Sequence, residues 1–339
     1  MNKAATDAAV IDTAVIDAAA RRLQAGQLVA FPTETVYGLG ADASQQAAVA
    51  AIYAAKGRPH DHPLIVHVAS WSSVSYWMAI DGCGHEARAA ARAPLLASAF
   101  WPGPITFIVP RRKQAPAWAC GGQSSIGLRC PSHPVAHELL LRFEALGGHG
   151  VAAPSANRFG RISPTTAAHV RDELAQAAPL ILDGGAAEVG LESTIIDLTR
   201  TQPVLLRPGA ITPEQIAAVL AEPVLLSGNL IDTVAVDRDA PRVPGSLASH
   251  YAPVTPLQLV SAGNFEAALR QCQSNGERVL SLRLSSGSEP PNAQHYGQQL
   301  YARLRELDAQ GADRILAEEP PLEPQWAAVR DRLMRARTR

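Results

Sequence analysis

The sequence predicts an α/β protein in two parts: a sheet covered by helices on both faces, then a smaller parallel α/β unit. Three observations lead there. Over residues 1–222 short apolar runs alternate with helical stretches, and the runs are continuous rather than alternating, as strands buried on both faces read. From 223 to 255 this pattern dissolves into prolines, glycine and scattered charge, as in Ala240-Pro-Arg-Val-Pro-Gly-Ser246, which marks an interdomain linker. From 256 to 339 strand and helix alternate again. A length of 339 residues fits two domains.

In order, Gln27–Phe31 reads as a strand. Ser44–Lys56 reads as a helix capped by Ser44. Leu64–Val68 is a strand, and His85–Phe100 a helix that Pro94 must interrupt or kink. Further strands are Ile105–Val109, Ser125–Leu128, Val151–Ala153, Leu180–Leu182, Thr194–Leu198 and Val204–Leu206. Helices fill His133–Ala145, Pro164–Ala175 and Pro213–Leu220. The last two open on Ser163-Pro164 and Thr212-Pro213, a cap followed by proline at the first helical position. The second unit reads strand Leu257–Val260, helix Asn264–Ser274, strand Arg278–Leu284, helix Ala293–Gln310, strand Arg314–Ala317 and helix Gln325–Arg337.

Composition excludes several classes. Hydrophobic residues make up 47% and charged residues 18%, enough to bury a core. A formal net charge of -1 argues against a broad basic face for duplex nucleic acid. Cys83, Cys120, Cys130 and Cys272 lie far apart, so neither a disulfide framework nor a zinc knuckle is expected, and a reducing cytoplasm is. The N-terminal stretch carries Asp7, Asp12 and Asp17 with no basic start, unlike a signal peptide. No apolar run approaches the ~18 residues a bilayer requires, so no membrane partner is expected.

Strand after strand ends in a polar cluster: Thr33-Glu34-Thr35, His67, Arg129, Ser155 with Asn157, Asp183 and Arg207. Open α/β sheets bind ligands beyond their strand ends; strand ends also meet solvent, which explains any one cluster alone. Of the 30 lysines and arginines only Lys3, Lys56 and Lys113 are lysines, so a lysine inside a motif is informative. Lys56-Gly57-Arg58-Pro59, read as an extended exit, aims both cations at one anion, and a lysine beside an arginine fork suits a polyphosphate. A helix C-terminus that favours cations explains the same spacing. Ser155-x-Asn157 puts a hydroxyl and an amide on one side, or else forms an Asx-type turn. Ser163 caps a helix N-terminus that could receive an anion. Arg129 and Arg207 read as carboxylate or phosphate ligands, or as structural ion pairs with Asp183 available. His60, Asp61, His62 and His67 match no metal-ligand spacing. Gly38-Leu-Gly40-Ala-Asp-Ala43 imitates a dinucleotide fingerprint, but the polar run Thr33–Tyr37 separates it from its strand. Arg330, Arg332, Arg335, Arg337 and Arg339 read as a solvated helix end.

The motifs Phe31-Pro-Thr-Glu-Thr-Val-Tyr-Gly-Leu-Gly-Ala-Asp-Ala43, Lys56-Gly-Arg-Pro59, Pro63-Leu-Ile-Val-His67, Trp101-Pro-Gly-Pro-Ile-Thr106, Gly127-Leu-Arg-Cys-Pro131, Ala153-Pro-Ser-Ala-Asn157, Glu192-Ser-Thr194, Leu206-Arg-Pro-Gly209 and His250-Tyr-Ala-Pro253 occur in order through the chain. On these the chain resembles the YrdC-like family, and its two-domain layout resembles that family's long form, the threonylcarbamoyl-AMP synthases. The resemblance implies a YrdC-like twisted open mixed sheet with helices on both faces, plus a small Rossmann-like α/β C-terminal domain. It implies synthesis of threonylcarbamoyl-AMP and pyrophosphate from L-threonine, bicarbonate and ATP, with Mg²⁺ riding on the phosphates. Lys56 and Arg58, the expected catalytic cations, would hold ATP with Ser155, Asn157, Ser163, Arg207 and Tyr251. Thr33, His67, Arg129, Ala153 (through its backbone) and Ser193 would hold threonine or its carbamate.

Downstream tRNA threonylcarbamoyl-transferase proteins would then modify tRNAs reading ANN codons, with direct tRNA contact by this chain left open. Such chemistry needs positioning, charge neutralisation and exclusion of water rather than a covalent nucleophile. The family's linker often carries a basic or aromatic pair before His-Tyr-Ala-Pro, and here Pro244-Gly-Ser-Leu-Ala-Ser249 stands there. A linker closing over ATP would have to use His250 and Tyr251. The competing readings are an RNA-binding translation factor and a related ATP-dependent carbamoyl-transfer enzyme with another acceptor.

Overall fold

The computed structural model describes residues 12–174, 177, 180–227, 241–245, 250–285 and 291–338. The start of the N-terminal stretch, the linker segments 228–240 and 246–249, and Arg339 lie outside the described residues. Helix α1 (Thr13–Gln24) opens on Asp12, whose carboxylate accepts the Ala14 N–H at 2.9 Å. Then come β1 (Val29–Phe31), β2 (Gly38–Asp42), α2 (Gln46–Lys56), β3 (Ile65–His67), α3 (Val74–Trp77), α4 (His85–Phe100), β4 (Ile105–Pro110), β5 (Ser125–Arg129), α5 (Pro134–Ala145), β6 (Val151–Ala152), α6 (Ala167–Leu174), β7 (Thr194–Asp197), β8 (Val204–Arg207), α7 (Pro213–Leu220) and β9 (Leu225–Leu226). In the order β1-β2-β6-β3-β5-β4-β7-β8-β9 these strands form one mixed sheet: β3 runs parallel to β5 but antiparallel to β6. The second sheet, β10 (Leu257–Val260), β12 (Arg314–Glu318) and β11 (Val279–Leu282), is parallel throughout. Helices α8 (Phe265–Ser274), α9 (Ala293–Asp308) and α10 (Ala327–Ala336) complete that unit.

Successive strand residues face opposite ways, and each face of the large sheet has its own core. Val29, Phe31 and Val151 pack with Leu23 of α1 and Leu139 and Phe143 of α5. Ala30, Leu39 and Val66 pack the other way, with Val49 and Ile52 of α2 and Leu96 of α4. Helices therefore cover both faces, as the continuous apolar runs predict. A third cluster joins the units: Val36, Ile162, Leu191 and Tyr251 pack against Leu300, Trp326, Val329 and Leu333.

Several local expectations are corrected. The fingerprint-like glycines sit in strand β2, not in a turn before a helix. Thr33 makes the real turn: its hydroxyl accepts the Thr35 and Val36 N–H groups at 3.2 Å each and donates to the Val36 carbonyl at 2.6 Å. Ser44 does not cap α2; its hydroxyl and N–H both bind Asp42 Oδ1, and the helix starts after Gln45. Nor does Ser163 cap α6, which begins at Ala167. Thr212 does cap α7, through a reciprocal pair with Gln215. Helix α4 runs through Pro94, which lies on its exposed side. Of Leu180–Leu182 only Ile181 makes a bridge, to Ala30. The first unit also continues past 222. Glu222 is bound at 2.6 Å by Arg92 of α4, and β9 pairs with β8. Two exposed leucines are too short a run to show a strand period.

Gly40 faces the Phe31 ring so closely that a Cβ would lie 2.7 Å from it and 2.8 Å from Val151. Gly40→Ala should therefore lower unfolding free energy by ~1–3 kcal/mol through overpacking. A urea titration checks this, and an unshifted midpoint would contradict the close contact.

Candidate active site

The ends of β1, β3, β5 and β8 converge on one small cavity of about 50 Å³. Its lining includes Thr33, Arg58, His67, Arg129, Ala153, Ser155, Ser193, Arg207 and Tyr251, nine of the expected site residues. The other three, Lys56, Asn157 and Ser163, lie one layer behind, buried against the loops that shape it.

Lys56 ends α2, and the chain leaves through Gly57 in the left-handed conformation at φ 62° rather than extended. A residue without Cβ turns there at little cost. The turn seats the Lys56 amine on the Ser155 carbonyl at 2.5 Å and on the Asn157 carbonyl. Burial, then Arg58, holds this amine well below the ordinary lysine range. Arg58 donates to the Pro63 carbonyl at 2.9 Å and lies 5.6 Å from the Phe159 ring centre. Burial lowers it to about 10. The two cations thus do share a neighbourhood, by a helix-end turn and not by an extended strand.

Asn157 turns its amide back onto the Arg158 and Arg161 carbonyls at 2.7 and 2.9 Å. It closes its own loop, while Ser155 faces the cavity, so the two side chains are not presented together. The buried Asn157 Oδ1 has no protein partner. Ala153 already gives its N–H to Ile65 O at 3.0 Å, so that donor is committed.

Arg129 does not pair with Asp183, which lies 3.4 Å from Arg171. Instead its Nη2 sits 2.7 Å from buried Glu34, without hydrogen-bond alignment, and its Nη1 donates to Thr35 at 2.9 Å. Arg129 Nε is buried and unpartnered. His67 lies beside it with Nδ1 unpartnered; burial, then Arg129, holds its pKa down to about 3. Across the cavity Arg207 donates to the Ser193 carbonyl at 3.0 Å, the Ser193 hydroxyl at 3.1 Å and the Pro244 carbonyl at 2.9 Å. Ser193 also bonds Thr106 at 2.7 Å.

The described linker residues complete the enclosure. Val243 packs on Ile65, Ile108 and Leu206 of the sheet. Pro244, Gly245, His250 and Tyr251 line the cavity. Tyr251 is buried at a left-handed φ of 62°. His250 meets Phe159 and Tyr251 edge-on, and burial lowers it to about 3.

The sequence reading placed Glu34 and Thr35 in a strand-end cluster without giving either a role, and it missed the C-terminal contribution. Arg332 and Arg335 are buried, not a solvated helix end. Arg332 bonds Glu192 at 2.8 Å. The signal was its place beside the apolar stripe Val329, Leu333, Ala336. Burial alone would raise the Glu192 carboxyl, but Arg332 and Arg207 hold it down at about 2. Among the described residues no cluster of three or more His, Cys, Asp or Glu could hold a metal ion, and no helix is long and apolar enough to cross a membrane.

The two depressed histidines set a pH dependence. Below their ordinary 6.5 the unfolded chain binds protons that folded His67 and His250, at about 3, refuse. Stability should therefore fall as pH drops from 6.5 toward 3, by at most ~1.4 kcal/mol per pH unit for each histidine. Melting temperature measured from pH 6.5 down to about pH 5 should decline, and less steeply in His250→Gln. A flat profile would reject buried, neutral histidines.

Two family models match the chain: Sua5_yciO_yrdC, described as telomere recombination, over residues 21–209, and Sua5_C, described as threonylcarbamoyl-AMP synthase, C-terminal domain, over residues 211–337. Threonylcarbamoyl-AMP synthase from Pyrococcus abyssi is 36% identical, across 94% of this chain and 92% of its own. That from Bacillus subtilis is 38% identical, across 94% and 91%. The crystal structure of P. abyssi Sua5 complexed with L-threonine superposes with a TM-score of 0.83 at 36% identity, covering 95% of this chain and 93% of that one. With curated relatives matched over nearly the whole of both chains, and both domain models present in order, this chain belongs to the threonylcarbamoyl-AMP synthase family.

Proposed function

We propose that this chain joins L-threonine, carbon dioxide drawn from bicarbonate, and ATP into threonylcarbamoyl-AMP, releasing pyrophosphate. The observation that carries the reading is the enclosure of Arg58, Arg129 and Arg207 around one cavity, in a family whose P. abyssi member has been crystallised with L-threonine. The threonine amine attacks CO₂ and loses a proton, giving a carbamate. A carbamate oxygen attacks the α-phosphorus, and the bond to the pyrophosphate oxygen breaks. No covalent enzyme intermediate is required. The Thr33 hydroxyl is tied to Thr35 and the Ser193 hydroxyl to Thr106 and Arg207, and catalysis is assigned to position and charge.

Arg129, with an unpartnered Nε and neutral His67 beside it, suits the carboxylate end of threonine. Arg58 and Arg207, with Lys56 behind them, suit the triphosphate. Mg²⁺ enters as part of the nucleotide substrate: buried carboxylates Glu34 and Glu192 each face an arginine, and neither is offered as a ligand. The product is an activated acyl donor, consumed by proteins that carry the threonylcarbamoyl group to tRNA adenosine.

Pyrophosphate release should depend on both threonine and bicarbonate. Lys56→Ala should lower kcat/KM about 10²–10³-fold, the range for losing one preorganised charge contact. Release independent of threonine would redirect the assignment to another acceptor, and the residues around Arg129 would be reassigned first.

The linker is proposed to close over the nucleotide. The cavity is far smaller than the several hundred Å³ of ordinary ligand pockets, so Pro244, Gly245, His250 and Tyr251 must withdraw for ATP to enter. Deleting residues 240–253 should raise the KM for ATP or allow hydrolysis without threonine. Kinetics identical to wild type would show that the linker is no lid.

A further inference from the structure

We propose that Tyr301 and Arg332 of the C-terminal unit are positioning residues for the cation Arg207, acting through Glu192 and the peptide that joins it to Ser193. The proposal rests on the reaction assigned above and adds a role for the second domain in it.

Glu192 sits where the two units meet. Its Oε2 accepts from Tyr301 OH at 2.9 Å and from Arg332 Nε at 2.8 Å, both in helices of the C-terminal unit. Its Oε1 accepts from Ser163 at 2.6 Å, in the first unit. Arg332 Nη1 is 2.6 Å from Asp331, and the Arg332 guanidinium lies 5.4 Å from the Tyr251 ring centre. Glu192, Tyr301 and Arg332 are all buried. The carboxylate is therefore fixed from three directions, with the buried Arg332 guanidinium in direct contact and Arg207 adding its charge from further off.

The next residue does different work. The Ser193 carbonyl and hydroxyl accept two of the three bonds that aim Arg207. Two adjacent residues thus carry a side chain gripped by the C-terminal unit and a carbonyl and hydroxyl that grip a site cation. Removing a bond to Glu192 frees this pair to shift, and Arg207 shifts with it. The threonine side is held otherwise: Arg129 answers to Glu34 and Thr35, neither of which touches Glu192.

Gly190 offers an independent handle. It has φ 74°, and a Cβ there would lie 2.3 Å from the Gln298 carbonyl of α9. Only a residue without a side chain lets α9 come this close, so Gly190→Ala loosens the docking without removing a bond to Glu192.

The test uses the full chain. Arg332→Met would leave Glu192 buried and unpaired, and misfolding could follow. Tyr301→Phe is therefore the primary variant and Gly190→Ala the second. Calorimetric titration with MgATP should show affinity weakened several-fold in both. In steady-state assays KM for ATP should rise several-fold, and by clearly more than KM for threonine, for which Ser193 is the one assigned residue that the shift moves. Unchanged MgATP affinity in both variants, with only a lowered melting temperature, would overturn the proposal and leave Glu192 a structural contact. An equal rise in both KM values would overturn it as well. Wild-type protein that binds MgATP yet releases no pyrophosphate would overturn the assigned reaction, and the titrations would still decide the positioning.

Discussion

Lys56, Arg58, Arg129 and Arg207 are all taken out of water at one end of the large sheet, and a protein interior admits such charges only when oxygen surrounds them. Much of the local backbone is arranged to supply it. The Ser155 and Asn157 carbonyls turn toward Lys56, Pro63 toward Arg58, and Ser193 and Pro244 toward Arg207. These are neutral acceptors. They reduce the cost of burying a cation without cancelling its charge, so a positive field remains in the cavity. Burial and the neighbouring guanidinium depress Lys56, and burial depresses Arg58. An anion with several charges is the counterpart such a field lacks.

The carboxylates are placed to match. Glu34 faces Arg129 at 2.7 Å but without aligned hydrogen bonds, so the arginine keeps donors for a second acceptor. Glu192 is tied to Ser163, Tyr301 and Arg332 and is held ionised. One acid leaves its cation open toward the cavity. The other joins two domains.

Much of this was legible in the sequence. Continuous apolar runs revealed a sheet covered twice, and the clusters at strand ends pointed to residues that do meet. Less legible was how they meet. Period-two spacing at Lys56-Gly-Arg58 suggested an extended strand, where a left-handed glycine turn brings the same cations together. Period two at Ser155-x-Asn157 failed because the Asn157 amide satisfies its own loop. Glycines 38 and 40 imitated a phosphate-binding turn, but the Phe31 ring lying against Gly40 explains the smaller residue there. Spacing records local geometry, whereas these contacts arise between segments far apart in the chain. Arg332 shows this most clearly: a charge near the C-terminus reads as solvated until its partner, 140 residues away, is in place.

Enclosure also explains why the second unit belongs in the same chain. Tyr251 is buried in a left-handed conformation that a residue bearing a Cβ adopts only when its surroundings impose it. Those surroundings are largely C-terminal: Tyr301 lies 5.8 Å from its ring centre, Arg332 lies 5.4 Å away, and the Arg335 carbonyl holds the N–H of His250. A linker that reached the cavity alone would have to order its backbone at a cost of ~1–2 kcal/mol per residue. Docking against α9 and α10 supplies that order from outside the site. The strain at Tyr251 and the pairing of Glu192 therefore share one origin, the packing of a small α/β domain on the open end of the large sheet.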